Sequence, residues 1–191
     1  MSIFSLIRDF RHIMHGHPHS LPIIAVFLLS LAGCASQSPM PMQEPIVATP
    51  RMLHVAQQDA KGQKLDAILI VQREDQALRW SLLNPLGAPL ARQMLENGDW
   101  RGDGLAPPNP LARQLFAALL FAWMPRAVLD AAYGPGTWQD EPLPGGGYRR
   151  SLKIDGKPWW TLQCSDAARQ TCVIEQNDGL RWTIAPLQTQ P

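Results

Sequence analysis

Few side chains in this 191-residue chain have the type and spacing to do chemistry. Its three cysteines are Cys34, which ends an apolar run, and Cys164 and Cys172, which stand close together near the C-terminus. No Cys-x-x-Cys redox pair occurs. Four of the five histidines (His12, His15, His17, His19) crowd the N-terminus, leaving His54 alone in the rest. Ser81, Ser151 and Ser165 lack the Gly-x-Ser-x-Gly surroundings of an activated serine. Asp99 and Asp103 fall in a turn-rich stretch, where solvated carboxylates are the rule. Gly145-Gly146-Gly147 is not followed by Lys-Ser/Thr and opens no helix pattern, so it reads as a turn and not a phosphate loop. These residues predict a protein that is not an enzyme and uses no metal or cofactor.

Cys34 carries the most specific signal. An apolar run, Leu21 to Leu31, is led by Arg8 and Arg11 and closes on Leu31-Ala32-Gly33-Cys34. A basic start, a short apolar stretch and small residues before a cut describe a secretory signal peptide. The run is well short of the ~20 apolar residues a membrane span needs, and it contains Pro22 and Ser30. The Leu-Ala-Gly-Cys ending resembles the lipobox of bacterial lipoproteins. That resemblance implies a diacylglycerol on the Cys34 thiol, cleavage just before it, and a palmitate-type acyl chain on the new amine. Ala35 stands where an aspartate would retain such a lipoprotein at the inner membrane. The expected address is therefore the outer membrane, facing the periplasm. Three acyl chains, at ~0.8 kcal/mol per buried methylene, exceed the two signals that stable anchoring requires.

The residues from Cys34 onward number roughly 160, enough for one domain with its own core. The leader takes Arg8, Arg11 and Asp9 with it, so Lys+Arg and Asp+Glu balance in what remains. A neutral chain argues against nucleic acid, which needs clustered cations. Residues 35–50 hold Pro39, Pro41, Pro45 and Pro50 and no apolar period, which predicts an extended tether of about 50 Å at full reach. The single domain is expected over 51–191.

From Arg51 the pattern is β. Leu65, Ala67, Leu69 and Val71 share one side of a strand over 63–73, with Ile68 and Ile70 on the other. Leu78, Trp80 and Leu82 share a face of the next strand, opposite Arg79 and Ser81. Asn84-Pro85-Leu86-Gly87 and Asn97-Gly98 mark turns around a strand over 89–96, and a short strand is expected near Trp100. Asn109-Pro110 then offers an N-cap and a first-turn proline. Leu111, Leu115, Ala118, Leu119 and Ala122 follow at helical spacing until Pro125. Phe116, Leu120, Phe121 and Trp123 make this helix apolar nearly all round, so it is expected to be buried or to sit over an apolar cavity. A second short helix over 127–133 stops at Gly134-Pro135. Four strands are expected afterwards, over 148–154, 158–164, 171–176 and 180–185. Their turns would set Cys164 opposite Cys172, and in an oxidising periplasm the pair is expected as a disulfide.

The order of lipobox, linker, β-meander, apolar helices and further strands resembles the LolA/LolB-like fold. The resemblance implies an α+β, mainly β architecture: a curved antiparallel half-barrel sheet with a helical lid over acyl chains. Leu83-Asn84-Pro85-Leu86-Gly87 and Leu115 through Trp123-Met124-Pro125 carry a further likeness to an uncharacterised lipoprotein family associated with aryl-polyene and fatty-acid-like biosynthesis genes. The expected role is a non-catalytic binder or carrier of acyl-type hydrophobic molecules. Trp80 and Leu82 on the sheet and Leu115, Leu119 and Trp123 on the lid are the expected cavity residues. The alternative is a structural or assembly lipoprotein that docks a protein partner through a sheet edge or a Trp-rich face.

Overall fold

A computed structural model describes residues 38–43, 45–104, 109–165 and 169–187. The expected signal peptide and lipobox, Leu31-Ala32-Gly33-Cys34, lie outside them. Two β-meanders flank a helical insertion. The first comprises β1 (Arg51–Gln58), β2 (Lys64–Glu74), β3 (Ala77–Leu83), β4 (Pro89–Glu96) and β5 (Asp99–Gly102). The insertion holds helix α1 (Pro110–Trp123), a 3-10 turn at Arg126–Val128 and the short helix α2 (Leu129–Tyr133). The second meander comprises β6 (Trp138–Pro142), β7 (Tyr148–Ile154), β8 (Lys157–Cys164), β9 (Cys172–Gln176) and β10 (Arg181–Pro186). β1 pairs with β10, which joins both meanders into one antiparallel sheet ordered β5-β4-β3-β2-β1-β10-β9-β8-β7-β6. The edge strands β5 and β6 do not pair with each other, so the sheet stays unclosed.

Local chemistry accounts for most of these elements. Asn97-Gly98 and Asp155-Gly156 take positive φ at both positions, with φ of 52° and 82° in the first and 49° and 74° in the second. That is the tight hairpin turn whose twist matches its strands. The Asn109 side chain accepts from the Ala112 amide at 3.1 Å, capping α1 at its proline. Inward residues alternate as a half-buried sheet requires, with Ala67, Leu69, Val71, Leu78, Trp80 and Leu82 all buried. Leu65, expected with this set, is instead 39% exposed, because it borders a groove beyond the helix end beside the exposed Leu111.

Helix α1 lies inside the sheet's curve. Its Trp123 ring stacks on Trp80 of β3 at 5.5 Å, and its Phe121 ring reaches Trp160 of β8 at 6.1 Å. Those two strands are five places apart in the sheet, about 24 Å if it were flat at the usual spacing. A helix with its side chains is about 10–12 Å across. The sheet must therefore curl around the helix to touch it from both halves. Trp80, Trp160 and Trp182 are wholly buried there. No single helix among the described residues is long and apolar enough to cross a membrane.

Two further features depart from the sequence reading. Strand β6 was not expected, because Gln139-Asp140-Glu141 has no apolar alternation; it is an edge strand that ends on Pro142. Residues 38–43 and 45–50, in the stretch expected as an extended tether, are largely non-regular but lie against the domain. Pro41, Pro45 and Val47 are buried, Met40 packs on the core, and the Met42 amide donates to Ala132 O at 2.8 Å. Apolar side chains spaced along the strap can be buried with no helix or strand period to announce it.

Cys164 and Cys172 face each other across β8 and β9 and form a disulfide. Gly147 lies beside this junction, where an added Cβ would overlap the Cys164 carbonyl oxygen, a backbone atom. Replacing both cysteines by alanine is expected to lower unfolding stability by about 2.5 kcal/mol, the loop-entropy value for so short a ring. Gly147→Ala is expected to be destabilising by a steric route that leaves the disulfide intact. Denaturant unfolding with thiol counting separates the two: a Gly147→Ala protein as stable as wild type would refute the close approach.

Candidate functional site

The sheet and α1 enclose an apolar interior, and the five residues expected to line a cavity are buried side chains of its packed core. Trp80 is 0%, Leu82 5%, Leu115 1%, Leu119 0% and Trp123 4% exposed, all within a single buried cluster. Around Trp80 the packing is aromatic: Phe116 at 5.1 Å, Trp123 at 5.5 Å and Trp100 of β5 at 5.8 Å. Such rings supply large apolar area in defined geometry.

Of the four buried tryptophans, one leaves its ring nitrogen without a partner among the described residues. Trp160 Nε1 donates to Gln176, Trp182 Nε1 to Gln57 and Trp123 Nε1 to Arg169 O, at 3.3, 3.2 and 3.0 Å. Trp80 Nε1, fully buried, has no partner among the described residues. An orphan buried donor costs about 1–3 kcal/mol. It marks a place where an acceptor from a bound molecule would be favourable.

The two ends of α1 are fastened very differently. A helix leaves its last carbonyls without partners inside the helix, and α1 has no basic residue in its own last turn. The cations come from the second meander. Arg150 of β7, 1% exposed, donates through Nη1 to Phe121 O at 2.8 Å and Met124 O at 2.9 Å. The Tyr148 hydroxyl donates to Ala122 O, and Arg169 Nη1 donates to Trp123 O at 2.6 Å. Asp140 of β6 holds the other side of the Arg150 guanidinium, with both contacts at 3.3 Å. Positive charge at a helix C-terminus is also favoured by the helix dipole. Beside this network the Tyr133 hydroxyl is sealed from solvent; burial pushes its pKa well up against the opposing pull of the Arg150 charge, so it stays protonated.

At the other end the fastenings are long. Asn109 Nδ2 donates to Leu90 O at 3.3 Å, Gln93 Nε2 to Asn109 O at 3.5 Å, and Arg113 Nε to Gln93 Oε1 at 3.4 Å. There α1 borders an open groove of about 670 Å³, within the range of small-molecule sites. Leu65, Leu111 and Leu180 give it apolar walls, with Lys61 and Lys64 among its polar residues. Neither lysine forms an ion pair among the described residues, and the neighbouring Asp59 and Asp178 carboxylates are taken up by their own turns.

The sequence reading missed Tyr148, Arg150 and Arg169. One signal was available: Tyr148, Arg150 and Leu152 alternate on the inward face of β7, so an arginine falls at a core position. His54 lies on the outer part of β1 with Asp66 at 3.0 Å, both exposed. Among the described residues no group of three or more His, Cys, Asp or Glu gathers as a metal site. The family model described as "Protein of unknown function (DUF3261)" matches residues 51–188. No curated protein matches the chain.

Arg150→Met keeps side-chain bulk but strips the helix end of its cation and leaves Asp140 buried without it. Breaking a buried pair from one side costs about 3–5 kcal/mol. The expected outcome in denaturant unfolding is a loss of that size. A loss below ~1 kcal/mol would mean that the helix end is held by something else.

Proposed function

The chain belongs to the DUF3261 family, a family without an assigned activity, and from its site we propose a non-catalytic binder or carrier of acyl-type hydrophobic molecules, in a LolA/LolB-like mode. The observation that carries this is the unequal fastening of an apolar helix inside an unclosed sheet. With its C-terminal end fixed by Arg150, Arg169 and Tyr148, α1 would part from the sheet at its N-terminal end, where the groove opens. An acyl chain would enter past Leu111 and run beneath the Leu115-Leu119-Trp123 side. An acidic head group would rest near Lys61 and Lys64, or an ester oxygen would accept from Trp80 Nε1. Burial at ~25 cal/mol per Å² of apolar surface supplies the driving force without a catalytic group.

The sequence ending at Cys34 supports a lipoprotein anchored in the outer membrane and facing the periplasm. A second reading, an assembly lipoprotein that docks a protein, is favoured by the unpaired outer side of β5 and by Leu86, 92% exposed at the β3–β4 turn.

Titration with a fluorescent fatty acid tests the carrier. Wild type is expected to bind saturably. Leu111→Glu, at a position already 38% exposed, is expected to weaken binding about tenfold with unfolding stability changed by less than ~0.5 kcal/mol. Absence of wild-type binding would favour the docking protein. The anchor is tested separately: Cys34→Ala is expected to leave the precursor uncut and unacylated, and normal processing of that variant would end the lipoprotein reading.

A further inference from the structure

We infer that the strap over residues 38–50 is the surface by which the domain rests on the bilayer. This rests on the proposed acylation of Cys34. The strap presents two sides. Pro41, Pro45 and Val47 face the domain and are buried, whereas Met42 and Ile46 face outward and are 72% and 76% exposed. Large apolar side chains held outward on a backed strap are an unfavourable display in water. They are not loose, because the strap is pinned at Met40 and Met42, and Ile46 stands between the buried Pro45 and Val47. Met40 Sδ accepts from Trp100 Nε1 of β5 at 3.1 Å, and the Met42 amide donates to Ala132 O of α2 at 2.8 Å.

The chain length before the strap says what covers this face. Met40 is six positions after Cys34, so whatever path the five residues between them take, the two cannot be more than about 20 Å apart. The interfacial zone of a bilayer leaflet consumes about 5–7 Å of that reach. An acylated Cys34 therefore keeps Met40 within about 15 Å of the head groups, and the domain cannot stand off by the 50 Å a free tether would allow. Among the described residues the first exposed positions after the anchor are Met42 and Gln43, followed by Ile46, so two of these three are large and apolar. The partner that fits them is the acyl–head-group boundary of the membrane that holds the anchor.

The test uses the acylated full-length protein, reconstituted in vesicles of phosphatidylethanolamine with a minority of phosphatidylglycerol, some lipids bearing a nitroxide on the acyl chain. A fluorophore is attached at Met42→Cys, at Ile46→Cys or, as control, at Thr183→Cys on the exposed face of β10. Quenching severalfold stronger at 42 and 46 than at 183 is the expected result. Mass spectrometry before reconstitution reads acylation of Cys34 independently. An acylated protein with equal quenching at all three positions overturns the docking face and leaves the anchor standing. A protein without acyl chains overturns both, since nothing then brings a bilayer to the strap.

Discussion

The buried guanidinium of Arg150 is the interaction on which the arrangement depends. An apolar helix enclosed by a sheet gains from burial along its sides but faces a problem at its end. Its last carbonyls are removed from water, and an unpaired buried carbonyl forfeits much of what the side chains gain. α1 carries no lysine or arginine of its own there. The sheet supplies the donors instead, through Tyr148 and Arg150 on β7 and Arg169 beside the disulfide loop. The edge strand β6 then serves a purpose beyond pairing, since its Asp140 neutralises the arginine that would otherwise be buried as a lone charge.

This solution makes the helix asymmetric. One end is bound by charge-assisted hydrogen bonds at short range, and the other by amide contacts between 3.3 and 3.5 Å beside an open groove. Local stability in a protein follows such differences, and segments that open are drawn from the weakly fastened end. The proposed acyl binder uses that gradient: a fixed hinge at Met124, a lid that parts near Asn109, and an aromatic interior in which the fully buried Trp80 indole donor is unsatisfied among the described residues. Arg150 is spent on the helix end, and His54 faces outward with Asp66.

The strap changes how the N-terminal stretch is understood. Its prolines suit an extended backbone, as composition alone suggests, yet Pro41, Pro45 and Val47 bury themselves on the domain. Extended chain is therefore not free chain. Where the sheet leaves β5 and β6 unpaired with each other, the strap contacts both the β5 side, through Met40, and α2, through Met42.

Much of this fold was legible in order. Period-two and helical spacing, Asn-Gly and Asp-Gly turns and the Asn109-Pro110 start placed eight of the ten strands and both helices, with β1 foreseen only as the onset of β patterning at Arg51, because those signals are local and act within a few residues. The facing of Cys164 and Cys172 followed from hairpin register in the same way. What was not local was not legible. β6 is an edge strand whose polar residues alternate on nothing, and it exists because β7 offers it a ladder. The burial of the strap depends on Trp100 and Ala132, which lie some sixty and ninety residues away along the chain. The five interior residues could be nominated from spacing, but their meeting required the sheet to curl until β3 and β8 touched one helix. Only that curvature brought Arg150 to the last carbonyls of α1, for a helix's need of a cation is written in its sequence and the cation's location is not.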